Sequence, residues 1–115
     1  MKTTPSIPAA RRPNDVLSAI TQRLADAYAP ERIYLFGSTA RGDAGPDSDF
    51  DILVVVADDA ALARRQSRLG YEALWPVGRA GDILVMTRSQ FESRARVRAS
   101  LAATIEEEGR ILYER

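Results

Sequence analysis

The segment from Leu35 to Val56, LFGSTARGDAGPDSDFDILVVV, restricts this chain more than any other. An apolar and aromatic run ends in Gly37-Ser38, a polar loop follows, and a β-branched run restarts through Asp49-Phe50-Asp51. Residues i and i+2 of a strand project from one face. Asp49 and Asp51 therefore stand side by side at the start of the second strand, with Phe50 facing the other way. Strands are poor in carboxylates, and two like charges so close repel. A divalent cation removes the repulsion. Hard cations such as Mg²⁺ take carboxylate oxygens together with substrate phosphates, so the pair reads as one edge of a magnesium site.

Gly37-Ser38 supplies the complementary half. It lies where the first strand turns toward one helical turn, Ser38 to Gly42, and exposed N–H groups at such a turn bind anions. Gly37 lets a phosphate approach closely because it has no Cβ. The Ser38 hydroxyl either donates to that phosphate, caps the helical turn, or does both. Arg41, one turn on, is within reach of a phosphate or is simply a solvated charge. No Gly-Lys-Ser/Thr follows, so this is not a Walker loop. Asp82 opens a third strand in Gly81-Asp82-Ile83-Leu84-Val85. If that strand lies beside the Asp51 strand, Asp82 joins the same site as a metal bridge or general base. Otherwise it is an ordinary strand-start residue.

Around this segment the pattern is α+β, with three or four strands backed by helices on one face. Met1 to Pro13 has prolines and no apolar period and is expected to be a flexible tail (residues 1–13) ahead of one domain, residues 14–115. Leu17, Ile20, Leu24 and Tyr28 recur at helical spacing behind a cap at Asn14 or Asp15, and Pro30 stops that helix. Ile33–Phe36, Asp51–Val56 and Ile83–Met86 read as strands, and Asp43 to Ser48 as a turn. Asp58 to Leu74 reads as a helix with Leu62, Leu69 and Leu74 inward and Arg64, Arg65 and Arg68 outward. Trp75 is expected at the edge of the core. Ser89 is expected to cap one long helix carrying Phe91, Ala95, Leu101 and Ile105, ended by Gly109. Ile111 to Tyr113 forms a short last strand or packs on the core.

Composition removes several chemistries. The chain has no cysteine and no histidine. That excludes disulfides, thiolate nucleophiles, the Ser-His-Asp triad and His-type zinc sites. Formal net charge is zero, which disfavours broad nucleic-acid binding. No apolar run is long enough for a bilayer and the N-terminus has no h-region, so the expectation is a cytoplasmic protein without a membrane partner.

Gly37-Ser38, ten residues, then Asp49-Phe50-Asp51 resembles the signature of the DNA polymerase β-like nucleotidyltransferases. The form Gly37-Ser38-Thr39-Ala40-Arg41-Gly42 followed by Ser48-Asp49-Phe50-Asp51-Ile52 is similar to the minimal nucleotidyltransferase (MNT) branch, as is the C-terminal Glu108-Gly109-Arg110-Ile111-Leu112-Tyr113-Glu114. The likeness spans roughly residues 14 to 115. It implies a palm-like fold with a small mixed sheet, and a site in which Ser38 contacts nucleotide phosphates while Asp49 and Asp51 bind Mg²⁺. Asp82 is the third acid by strand context. It also implies ATP as substrate and an antitoxin paired with a HEPN-domain ribonuclease toxin, to whose tyrosine AMP is transferred. Two alternatives stay open: an antitoxin that neutralises by binding alone, and a small-molecule (antibiotic) nucleotidyltransferase, against which the lack of room for an acceptor domain argues.

Overall fold

Strand β2 (Phe50–Val56) organises the molecule because it is covered on both faces. Its residues from Ile52 to Val56 are all buried, so alternate side chains feed two separate cores. Ile52, Val54 and Val56 join Ile33, Leu35 and Ile83 beneath Leu17, Ile20 and Leu24. Leu53 and Val55 join Tyr34, Met86, Phe91, Ala102 and Ile105 on the opposite face. The computed structural model describes residues 13–42, 49–78 and 80–115. Of the expected tail, only Pro13 is among them, and the Asp43–Ser48 turn lies outside them.

Helix α1 (Pro13–Tyr28) leads into β1 (Arg32–Phe36) and the single turn α2 (Ser38–Arg41). Asn14 and Asp15 thus lie in the first helical turn rather than capping it. After β2 come a 3₁₀ turn (Leu62–Arg65), α3 (Ser67–Leu74) and β3 (Ala80–Thr87). Helices α4 (Arg88–Ala95) and α5 (Leu101–Glu108) and strand β4 (Arg110–Glu114) complete the chain. The sheet order is β3-β2-β1-β4. β1 runs antiparallel to β2 and β4, and β2 runs parallel to β3. The α+β reading with a small mixed sheet holds. Helices on one face does not, because α1 and α3 serve one core and α4 and α5 the other. A parallel central pair buries both faces of its strands and needs cover on each.

Three local expectations fail for tertiary reasons. Asp58 to Leu74 is not one helix: Gln66 is extended at φ −102°, ψ 134°. There its carbonyl accepts a hydrogen bond from the buried Tyr28 hydroxyl at 2.6 Å, and the same hydroxyl accepts from the Gly70 amide at 2.8 Å. Burial pushes the Tyr28 phenol up to about 12. The break leaves Leu62 exposed, while Leu74 reaches the core. Trp75 is 85% exposed rather than at the core edge, because the chain turns away after α3. The C-terminal helix is also two helices. Thr87 caps α4 in a reciprocal box with Gln90, and Ser100 caps α5 through the Ala103 amide at 3.0 Å. Leu101 is therefore exposed rather than core. Gly109 ends α5 in extended rather than left-handed conformation. A Cβ there would lie 2.4 Å from the Ile105 carbonyl oxygen.

Two contacts secure the edges of this frame. The Tyr71 hydroxyl accepts the Ile83 amide of β3 at 3.1 Å. Asp58, just beyond β2, accepts the Ser89 amide at 2.8 Å and the Ser89 hydroxyl at the start of α4. Those bonds hold the Asp58 carboxyl below the usual carboxylate range. A lowered folded-state pKa gives stability that is present above the unfolded pKa and lost as pH falls through the folded one. Asp58→Ala should therefore melt earlier than the wild type at neutral pH. Melting curves across an acid titration should converge below the carboxylate range, and a gap that persists there would refute the assignment. The single tryptophan gives a second check. Its emission should match that of free tryptophan in water and stay put on unfolding, and Trp75→Ala should change stability by no more than about 0.5 kcal/mol.

Candidate active site

The acids and the glycine turn meet at one edge of the sheet because of strand direction. In the β1–β2 register Phe36 faces Asp51, so the end of β1 lies beside the start of β2. The parallel partner β3 also starts at this edge, with Ala80 opposite Phe50. Gly37, Asp49, Asp51 and Asp82 are thereby gathered from three strands.

Gly37 begins the turn with φ 77° and ψ −158°, a conformation open almost only to glycine. The Ala40 and Arg41 amides both return to its carbonyl, at 3.1 and 3.2 Å. Gly37 is thus the N-cap, and Ser38 is the first helical residue rather than the cap. Among the described residues the Ser38 hydroxyl has no hydrogen-bond partner, so it keeps its donor. Arg41 closes the same turn and is exposed. A Cβ built on Gly37 would lie 2.7 Å from Asp51 Oδ2. The turn and the carboxylate are in direct apposition.

The expected alternation along β2 holds. Phe50 is buried in the first core, Asp49 is exposed and Asp51 is half-buried. Asp82 falls on the same sheet face as Leu84, whose side chain packs on the second core, and it is exposed. What touches Asp51 is the Asp82 amide, which donates to Asp51 Oδ1 at 2.9 Å. Among the described residues, no three acidic side chains converge closely enough to hold a metal by themselves.

The donor set nevertheless suits a hard cation. Among the described residues, no arginine forms an ion pair with Asp49, Asp51 or Asp82. Two neighbouring carboxylates without a cationic side chain accept a divalent ion whose remaining ligands are phosphate oxygens and water. Gly81 is a residue of this site that the sequence pattern does not single out. Its signal was only its place before Asp82, and its relation to Asp51 emerges from the strand register.

Comparisons with known proteins bear on the family and the fold. The family profile described as nucleotidyltransferase domain matches residues 17–112. Among solved structures, the chain is similar to a Sulfolobus solfataricus protein assigned as a nucleotidyltransferase (TM-score 0.56, 23% identity, 99% of this chain and 91% of that one). It is also similar to a toxin–antitoxin crystallised with AMP-PNP (TM-score 0.53, 24% identity, 85% and 73% of the two chains). A third likeness is to a mutant of the toxin–antitoxin MntA–HpeT (TM-score 0.51, 19% identity, 85% and 73%). A comparison with curated protein sequences gives no match.

The turn geometry sets an expectation for two glycines. Gly37→Ala should lose about 1–3 kcal/mol in urea denaturation, since the new side chain meets both a glycine-only conformation and Asp51. Gly42 also has positive φ, 82°, but among the described residues nothing lies within 4 Å of its would-be Cβ. Gly42→Ala should therefore cost less. Equal losses would show that Asp51 does not fill the space beside Gly37.

Proposed function

The chain belongs to the nucleotidyltransferase domain family, and we propose that it is an Mg²⁺-dependent antitoxin transferring AMP from ATP to a tyrosine of a HEPN-domain ribonuclease toxin. The observation that carries this reading is the apposition of the Gly37 turn and the Asp51 carboxylate, 2.7 Å from the would-be Cβ. A nucleoside triphosphate needs both: amide and hydroxyl donors for its phosphates, and carboxylates for the counter-ion that accompanies them.

In this reading the Ser38 hydroxyl and the Ser38 and Thr39 amides, which do not return to the Gly37 carbonyl, bind the terminal phosphates, and Arg41 adds charge at the open side. Asp49 and Asp51 would hold the metal, which when bound would neutralise phosphate charge and ease loss of the hydroxyl proton. The acceptor oxygen attacks the α-phosphorus in line, a new P–O bond forms, and the bond to the β-phosphate bridging oxygen breaks to release pyrophosphate. Asp82, exposed on the same sheet face, takes the hydroxyl proton. Most of the rate gain comes from alignment and charge neutralisation. AMP on the toxin then adds bulk and negative charge where RNA phosphates would bind.

One observation favours the second reading, a non-catalytic antitoxin that works by binding. Trp75, Leu62 and Tyr71 are exposed large apolar residues, and Tyr71 and Trp75 share one face of α3 and its extension. Such a surface suits a protein partner whether or not chemistry follows.

Intact-protein mass spectrometry separates the two. The domain, the product of the neighbouring gene, Mg²⁺ and ATP should give one or more AMP additions on the partner. Asp49→Asn should abolish them, and because Asp49 is exposed, stability should move by no more than about 0.5 kcal/mol. A stable complex with no added mass, together with protection of cells by Asp49→Asn, would replace catalysis by binding.

A further inference from the structure

Asp51 lies between two glycines, Gly37 just past the end of β1 and Gly81 near the start of β3. Its Oδ2 faces Gly37, and a Cβ built on Gly81 would lie 2.5 Å from its Oδ1 and 3.3 Å from both Asp49 Cβ and the Phe50 carbonyl oxygen. These two glycines meet different demands. Gly37 needs its positive φ, whereas Gly81 is not among the residues with positive φ. At Gly81 the backbone would accept alanine, so glycine is required there for space alone.

That space comes from an irregularity in the sheet. Phe50 pairs with Ala80 and Ile52 with Ile83, so one residue of β2 faces two of β3. Such a bulge leaves an amide without a ladder partner. Here the Asp82 amide turns to Asp51 Oδ1 at 2.9 Å. An aspartate carboxylate rotates over a broad range about its last torsion. In this site one oxygen is fixed by the bulge amide, and the other is left against the phosphate turn.

We propose that Gly81 is a positioning residue: the Gly81-Asp82 bulge sets the orientation of the Asp51 carboxylate before any metal arrives. The inference rests on the reading of Asp51 as a metal ligand, but the contact itself is testable without metal. Partners that orient a metal ligand from behind typically change metal affinity by about 10–100-fold when altered.

The test is a thermodynamic cycle on the metal-free chain, comparing wild type, Gly81→Ala, Asp51→Ala and the double variant by thermal melting. Gly81→Ala should lower the melting temperature by several degrees with Asp51 present, and most of that loss should vanish with Asp51→Ala. Equal losses in both backgrounds would overturn the proposal. If Gly81→Ala does not fold, a folded double variant still supports it and an unfolded one refutes it. Electron paramagnetic resonance of Mn²⁺ with AMP-PNP is the second readout. Gly81→Ala should weaken Mn²⁺ binding by about 10-fold or more. Unchanged affinity would overturn the positioning role. A wild type that binds no Mn²⁺ would overturn the metal reading instead, leaving the cycle to decide the contact between Gly81 and Asp51.

Discussion

Burial of β2 on both faces is the constraint from which the rest follows. Each large apolar side chain buried there contributes about 1.5–3 kcal/mol. An unpaired carboxylate moved into the same environment would cost several kcal/mol. A strand with a side-chain period of two cannot slip by one residue without exchanging its faces. Ile52 to Val56 can occupy the centre only if Asp51 and Asp49 emerge at the N-terminal end. The antiparallel neighbour then brings the end of β1 to those acids, and the parallel neighbour brings the start of β3. Both helical layers are needed to cover what this strand presents.

The two ends of the sheet treat charge differently. At the end away from the glycine turn, Arg32 pairs with Glu114 at 3.1 Å, Arg88 with Glu31 at 3.6 Å, and Asp58 is tied to Ser89. These groups are partly to largely exposed, so the pairs add little to stability and mainly leave few charges unmatched. At the other end Asp49, Asp51 and Asp82 have no arginine in an ion pair among the described residues. Zero net charge therefore conceals an uneven distribution.

The strands were legible because β-branched runs such as Ile52–Val56 have few other uses. The site half-motifs were legible because a strand opening through two acids contradicts its own propensity. What stayed hidden depends on contacts distant in sequence. Gln66 leaves the helical pattern because Tyr28, 38 positions earlier, takes its carbonyl. Thr87 rather than Ser89 caps α4 because the strand runs one residue further than its apolar core and Asp58 engages Ser89. Trp75 is expected at the core edge, yet the chain turn after α3 carries it into solvent. The importance of Gly81 is invisible until the register shows that Asp51 needs its space. Asp49 and Asp51 share a face as the alternation requires, whereas the part played by the Asp82 amide could not be read from residue type at all.

The Tyr71 hydroxyl bound to the Ile83 amide has a consequence for the molecule among its neighbours. β3 is an edge strand, and Ile83-Leu84-Val85-Met86 is the kind of apolar, β-prone run that recruits strands from other chains. An edge becomes a template through its outward amides and carbonyls. Here one such amide is already occupied by a side chain from α3, which lies across that flank. Strand-by-strand growth from β3 would first have to displace an aromatic ring. The helix that joins the two parallel strands thus also acts as a gatekeeper against aggregation.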